Sequence, residues 1–270
     1  MAKCSICGKD INIFLSLIDN TCNECFKKSK SKKITGDEKD KNDFGRYLNN
    51  TKKISKGSEI VIHYLAELIG SFVNNDMHIL ETQQSFPAEV VEKFNNQPAL
   101  KRLFDFYIVE FWLASFSCGL YYEVSARDEI CEGIGKKIGL VLEKHRNSQF
   151  LIIKDFIKDK DELSSIYREC PEGIDENARV NFNVLLDGVL LRRFVDYNDA
   201  ISRGQAFNFF MVARYFYKHI FGIDPKLDSN PALSVLLVMF LTKMFSGRIA
   251  PYFELIAELE KEIDRKTNRG

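Results

Sequence analysis

The chain has 270 residues, 38 basic and 38 acidic, and 45% of its residues are hydrophobic. This balance excludes a disordered tail or a collagen-like chain and places it among ordinary globular proteins. Glycine and proline together number 21 of 270, below the roughly 12% of average usage, so turn-forming material is scarce and a mainly α fold is expected.

The N-terminus, MAKCSICGKD, has no apolar h-region, which predicts no secretory signal and a cytoplasmic location. Charge divides the chain more sharply than its neutral total suggests. Residues 1–57 carry 13 Lys and Arg against 7 Asp and Glu, a net charge of +6, and the remainder carries −6. A basic head on an acidic body is one mark of a nucleic-acid arm, and equally of a head that complements its own body.

Four of the seven cysteines stand at Cys4, Cys7, Cys22 and Cys25, spaced C-x2-C-x14-C-x2-C. In a chain read as cytoplasmic this is zinc spacing rather than a disulfide framework. Two CxxC turns complete a tetrahedral thiolate shell around one Zn2+ with no open position, so the metal shapes the head and does no chemistry. Gly8 follows the first pair, where a knuckle turn favours a residue free to adopt a left-handed backbone. Ile11, Ile13, Leu15 and Leu17 recur with a period of two, predicting a strand or short hairpin between the pairs. Thr21-Cys22-Asn23-Glu24 fits a capping box, predicting a helix that carries Cys22 and Cys25 on its first turn.

Knuckle, hairpin and helix in that order describe a treble clef, with a plain zinc ribbon as the near alternative. "CSICG" and "CNECF" resemble the N-terminal zinc domain of the ATP-dependent protease unfoldases over residues 4–28. The resemblance implies a zinc-bound module of the kind used to hold a partner. It does not extend to ATPase activity, because no Walker A loop follows.

Lys27, Lys28, Lys30, Lys32 and Lys33 form a dense basic run that suits phosphate contacts. No aromatic residue is interleaved among them for base stacking, and a four-thiolate zinc site is itself anionic, so these lysines also fit a solvated helix end. Residues 29–57 are polar throughout, with Ile34, Phe44, Tyr47, Leu48 and Ile54 as the sizeable apolar groups, and read as a linker.

From Ser58 the period becomes helical: Val61, Tyr64, Leu65, Leu68, Ile69 and Phe72 share one face. Further helices are expected at 87–95, 99–124, 126–145, 149–168, 176–197, 204–221, 231–246 and 251–266. Asn230 and Asp175 are N-cap candidates, Pro231 and Pro251 suit first turns, and Gly222 and Gly247 lie just past C-termini. Val180–Val195 and Ala206–Phe221 are apolar almost all round and are expected at the centre of the body. The run from Phe104 to Tyr122 carries Asp105 and Glu110, and Leu233–Leu241 is short, so no membrane span is expected.

The organisation predicted is thus a zinc-binding module at 1–28, a basic polar linker at 29–57 and an all-α domain at 58–270. HExxH, GxSxG, P-loop and di-iron ExxH patterns are all missing. "GIGKKIG" at 133–139 lacks the strand context of a dinucleotide loop and reads as close helix packing. Glu59 and His63 share a helical face without a second histidine, and Cys118, Cys131 and Cys170 read as reduced core thiols. Glu110, Arg192, Arg193, Arg214 and Lys243 interrupt apolar helices, as internal ion pairs or as a buried pocket for a charged ligand. These features favour a non-enzymatic adaptor that binds another protein, with nucleic-acid binding by the head, or a helical small-molecule binder or enzyme, as alternatives.

Overall fold

The computed structural model describes residues 2–3, 10–11, 58–82, 87–145, 150–158, 162, 179–202 and 209–267. The cysteines at 4, 7, 22 and 25, the lysine run at 27–33 and the linker lie outside them. The described elements, in chain order, are β1 (Ala2–Lys3), β2 (Asp10–Ile11), α1 (Ser58–Glu81), α2 (Ala88–Asn95), α3 (Ala99–Tyr121) and α4 (Val124–His145). Then come β3 (Phe150–Ile152), α5 (Ile153–Phe156), β4 (Arg179–Asn181), α6 (Phe182–Ser202), α7 (Phe209–Phe221), a 3-10 turn (Pro225–Leu227), α8 (Pro231–Ser246) and α9 (Ile249–Thr267). The body is mainly α, as composition and periodicity imply.

Local chemistry sets the helix boundaries. Asn230 caps α8 by accepting a hydrogen bond from the Leu233 amide at 3.3 Å, and Pro231 occupies the first turn, where its missing N–H costs nothing. Gly222 ends α7 with φ of +73°, and a Cβ there would lie 2.5 Å from the Lys158 carbonyl oxygen. Only glycine satisfies both demands. Gly133 confirms the packing reading of the glycine-rich stretch: a Cβ on it would fall 2.4 Å from Ile62 Cδ1, so α4 and α1 touch through that position.

The centre of the body is α3, not the α6 and α7 segments that hydrophobicity alone favours. Every residue from Phe104 to Ser115 is buried, and α3 packs against α1, α4, α9, α7 and α6. By contrast α6 exposes Val184 at 57%. The reason is that α3's polar groups find partners inside the fold, so Lys101, Asp105 and Glu110 do not force any face toward water.

Two spans read as the beginnings of helices instead open as strands. β3 pairs antiparallel with β4, Phe150 opposite Asn181 and Ile152 opposite Arg179, before α5 and α6 begin. The apolar run at 150–157 suits either period, and its pairing partner stands almost 30 residues away in sequence.

By length and composition two segments are apolar enough to cross a membrane, Ala99–Tyr121 and the run Pro231–Lys266. The most apolar window of the first is 78% buried within the body, as a core helix would be, and that of the second 33%. On α8, Leu236 and Met239 face outward, and Leu227 in the preceding 3-10 turn is 75% exposed.

Candidate functional site

At the N-terminus β1 and β2 pair antiparallel, Ala2 opposite Ile11 and Lys3 opposite Asp10. The chain therefore leaves Lys3 and returns at Asp10, so Cys4 and Cys7 belong to the six-residue connection between paired strands. Among the described residues no group of three or more His, Cys, Asp or Glu is placed to hold a metal ion. His63 pairs with Glu67 one turn on at 3.3 Å, both of them well exposed.

Among the described residues of the body, ionisable side chains gather in three places. The deepest joins α3, α6, α7 and Glu162. Lys101 donates to Asp105 at 2.5 Å, and to the His219 carbonyl at 3.0 Å. Arg193 bonds Asp105 with one nitrogen and Glu162 with another, the latter at 2.7 Å. The His219 ring adds Glu162 at 3.4 Å and Asp196 at 3.6 Å. Lys101, Asp105, Arg193 and His219 are fully buried. Burial alone would raise Glu162, but Arg193 and His219 outweigh it and hold its carboxyl well below the usual range. Burial lowers Lys101 despite Asp105. Arg193 goes the other way, because Asp105 and Glu162 overcome its desolvation. At its centre Lys101 and Arg193 face Asp105 and Glu162, two cations against two carboxylates.

A second cluster joins α1, α3 and α9. Tyr252 donates to Glu110 at 2.7 Å. Arg248 bonds Asp76, lies 3.5 Å from Glu110 and stacks 3.9 Å above the Phe72 ring. Here two carboxylates share one guanidinium. Burial, reinforced by the neighbouring Asp76, pushes Glu110 up to about 8, and burial also raises Asp76. Asp76 Oδ2 and Glu110 Oε1 lack a donor among the described residues. A proton retained on Glu110 at neutral pH supplies it.

The third cluster ties α2 and α7 to the start of α8. One oxygen of Asp228 accepts from Lys93, Tyr217 and Ser234, the last at 2.9 Å, and Lys93 also donates to the Tyr217 hydroxyl at 2.8 Å. Those donors hold Asp228 low against the effect of its burial. The lysine ammonium lies 4.8 Å above the Phe221 ring. A cavity of about 440 Å3 opens beside this knot, but its polar floor already has its hydrogen bonds made by the protein itself.

The five charged residues singled out from sequence do not converge on one pocket. Glu110 and Arg193 are buried in different clusters. Arg192 pairs with Asp196 at 3.2 Å and Arg214 with Asp224, both part-exposed, while Lys243 faces solvent. The ion-pair reading holds for the arginines, and the common pocket does not form because the side chains leave different faces of α3, α6, α7 and α8. Sequence reading missed Asp76, Arg248 and Tyr252 as partners of Glu110, and Asp105 and Glu162 as partners of Arg193. Only the oddity of a charge within an apolar helix pointed to them.

No protein-family model, curated protein or solved structure matches this chain.

Proposed function

We propose that the protein is an interaction adaptor in which Cys4, Cys7, Cys22 and Cys25 hold one structural Zn2+, giving shape to a small treble-clef head carried by the helical body. The observation that carries this reading is the C-x2-C-x14-C-x2-C spacing. A closed thiolate shell leaves no vacant coordination position for a substrate, so the head recognises rather than reacts. The character of the body supports the same reading: the ionisable groups of its two buried clusters are engaged with one another.

The test compares proteins captured by the intact chain with those captured by a Cys22→Ser, Cys25→Ser form. A partner held only by the intact chain, and confirmed with both components purified, assigns recognition to the head. Identical partners for both forms would contradict it. The net charge of +6 over residues 1–57 favours a second reading, nucleic-acid binding by Lys27, Lys28, Lys30, Lys32 and Lys33. That reading predicts RNA or DNA affinity that falls steeply with salt, with a shallower slope once Lys30, Lys32 and Lys33 are replaced.

A further inference from the structure

α4 and α6 both pack on α3 and leave between them a groove of about 570 Å3. Phe111 of α3 lies at its floor, and Gly135 and Gly139 of α4 stand across from Leu186 and Leu190 of α6. The two glycines keep the groove open: a Cβ on Gly135 would meet Phe111 at 3.5 Å, and one on Gly139 would meet Leu186 at 3.8 Å. Leu140 stands at the edge, 60% exposed. Glu132, Glu143 and Asp187 line the rim against Lys136, three carboxylates to one ammonium. An apolar strip flanked by cations fits such a surface.

The chain itself delivers one. α1 begins at Ser58, whose hydroxyl donates to Glu129 of α4 at 2.9 Å, one turn before Glu132 at the near end of the groove. Residues 44–57, which precede Ser58 and lie outside the described residues, carry Arg46, Lys52, Lys53 and Lys56 and no acidic residue. Phe44, Tyr47 and Leu48 have the i, i+3, i+4 spacing that puts apolar side chains on one side of a helical turn. Ten residues lead from Leu48 to Ser58 and can span roughly 33 Å, whereas the groove runs roughly 18 Å along α4 from Cys131 to Glu143.

Charge and tethering select this segment over its rivals. Residues 163–178 hold Glu169, Glu172, Asp175 and Glu176 against Arg168 and would set carboxylates against the acidic rim. A second groove of about 790 Å3, between α1, α4 and α9, presents Lys136, Lys137 and Lys266 against Glu59 and Glu262 and is the poorer seat for a basic strip. A second copy offers the same residues, but so short a tether sets an effective concentration on the order of millimolar, which favours the chain's own segment.

We propose that residues 44–56 dock in the groove between α4 and α6 of their own chain, with Phe44, Tyr47 and Leu48 against Leu140, Leu186 and Leu190 and the cations along the acidic rim. The N-terminal region is thereby held to the helical body, and nothing in this docking requires the four zinc-spaced cysteines.

The experiment couples amines to carboxylates with a water-soluble carbodiimide in a dilute Arg46→Lys form of the full chain and maps the linked peptides by mass spectrometry. The amine at position 46 should link to Asp187 or Glu143. Replacing Phe44, Tyr47 and Leu48 by Ser keeps the charge of the segment and should cut the yield about tenfold or more. Leu140→Arg, at a largely exposed position, should do the same while the helical circular dichroism of the body stays unchanged. Mixing isotopically labelled with unlabelled chains should give links within single chains only. Absence of these links would overturn the proposal, as would a full yield in the triple-serine form, links to Glu59 or Glu262 in their place, or links between labelled and unlabelled chains.

Discussion

The head and the body both concentrate groups that water would otherwise solvate, and they balance them from different sources. In the body the counter-charges come from the chain itself, across long stretches of sequence: Arg193 meets Asp105 and Glu162, and Arg248 meets Asp76 and Glu110. Residues 1–28 bring four cysteines within 22 positions but only four lysines against three acidic residues. That surplus of one cannot balance four thiolates, whereas a divalent cation bound to all four sulfurs, as proposed, would halve their charge. The difference teaches that a buried charge is tolerated where fold or metal brings its opposite, and that a 28-residue segment is too short for the fold to do so.

Metal removal should break the comparison most forcefully. Structural zinc in comparable small modules is worth roughly 10–16 kcal/mol, so a strong chelator should make residues 1–28 open to limited proteolysis while a fragment spanning 58–267 survives, as read by mass spectrometry. Next in size is Arg193→Met. It leaves Asp105 and Glu162 facing each other in the core with only Lys101 and His219 nearby, and should cost about 3–5 kcal/mol in urea unfolding.

Glu110 sharpens the contrast within the body. Its folded-state value of about 8 stands above the ordinary 4.5, so between those values the folded chain holds a proton that the unfolded chain has released. Stability from this group is therefore present at low pH and lost as pH rises toward 8, with a slope on the order of 1 kcal/mol per pH unit at its steepest. Glu110→Gln should flatten that decline in thermal melts from pH 5 to 9, while Arg193→Met should leave it in place. The smallest effect is expected at the third cluster: Lys93 is about one-third exposed, and Lys93→Met should cost about 1 kcal/mol because solvent screens the pair.

Much of this fold could be read locally. The Asn230 cap with Pro231 and the glycine stop at Gly222 depend on neighbours within a few residues and appear where the sequence places them. So does the α1 stripe at Val61, Leu65 and Ile69, whereas Tyr64 is 46% exposed and Ile62 and Val73 complete the buried face. Pairing of β3 with β4 depends on residues nearly 30 positions apart, and two strands of three residues each are too short to carry a period that separates them from a helix. The centrality of α3 was hidden for a related reason: Asp105 and Glu110 look like surface marks until Arg193 and Tyr252 are brought to them from 88 and 142 residues away. The proposed zinc ligands are the opposite case, because spacing alone marks them.

The most direct test of the account is a chelator titration of the purified chain under reducing conditions, following metal release and far-ultraviolet circular dichroism in one sample. One zinc per chain should be released while the helical signal of the body persists, and the Cys22→Ser, Cys25→Ser form should carry no stoichiometric metal. A wild-type chain without zinc, or a helical signal that collapses as the metal leaves, would contradict it.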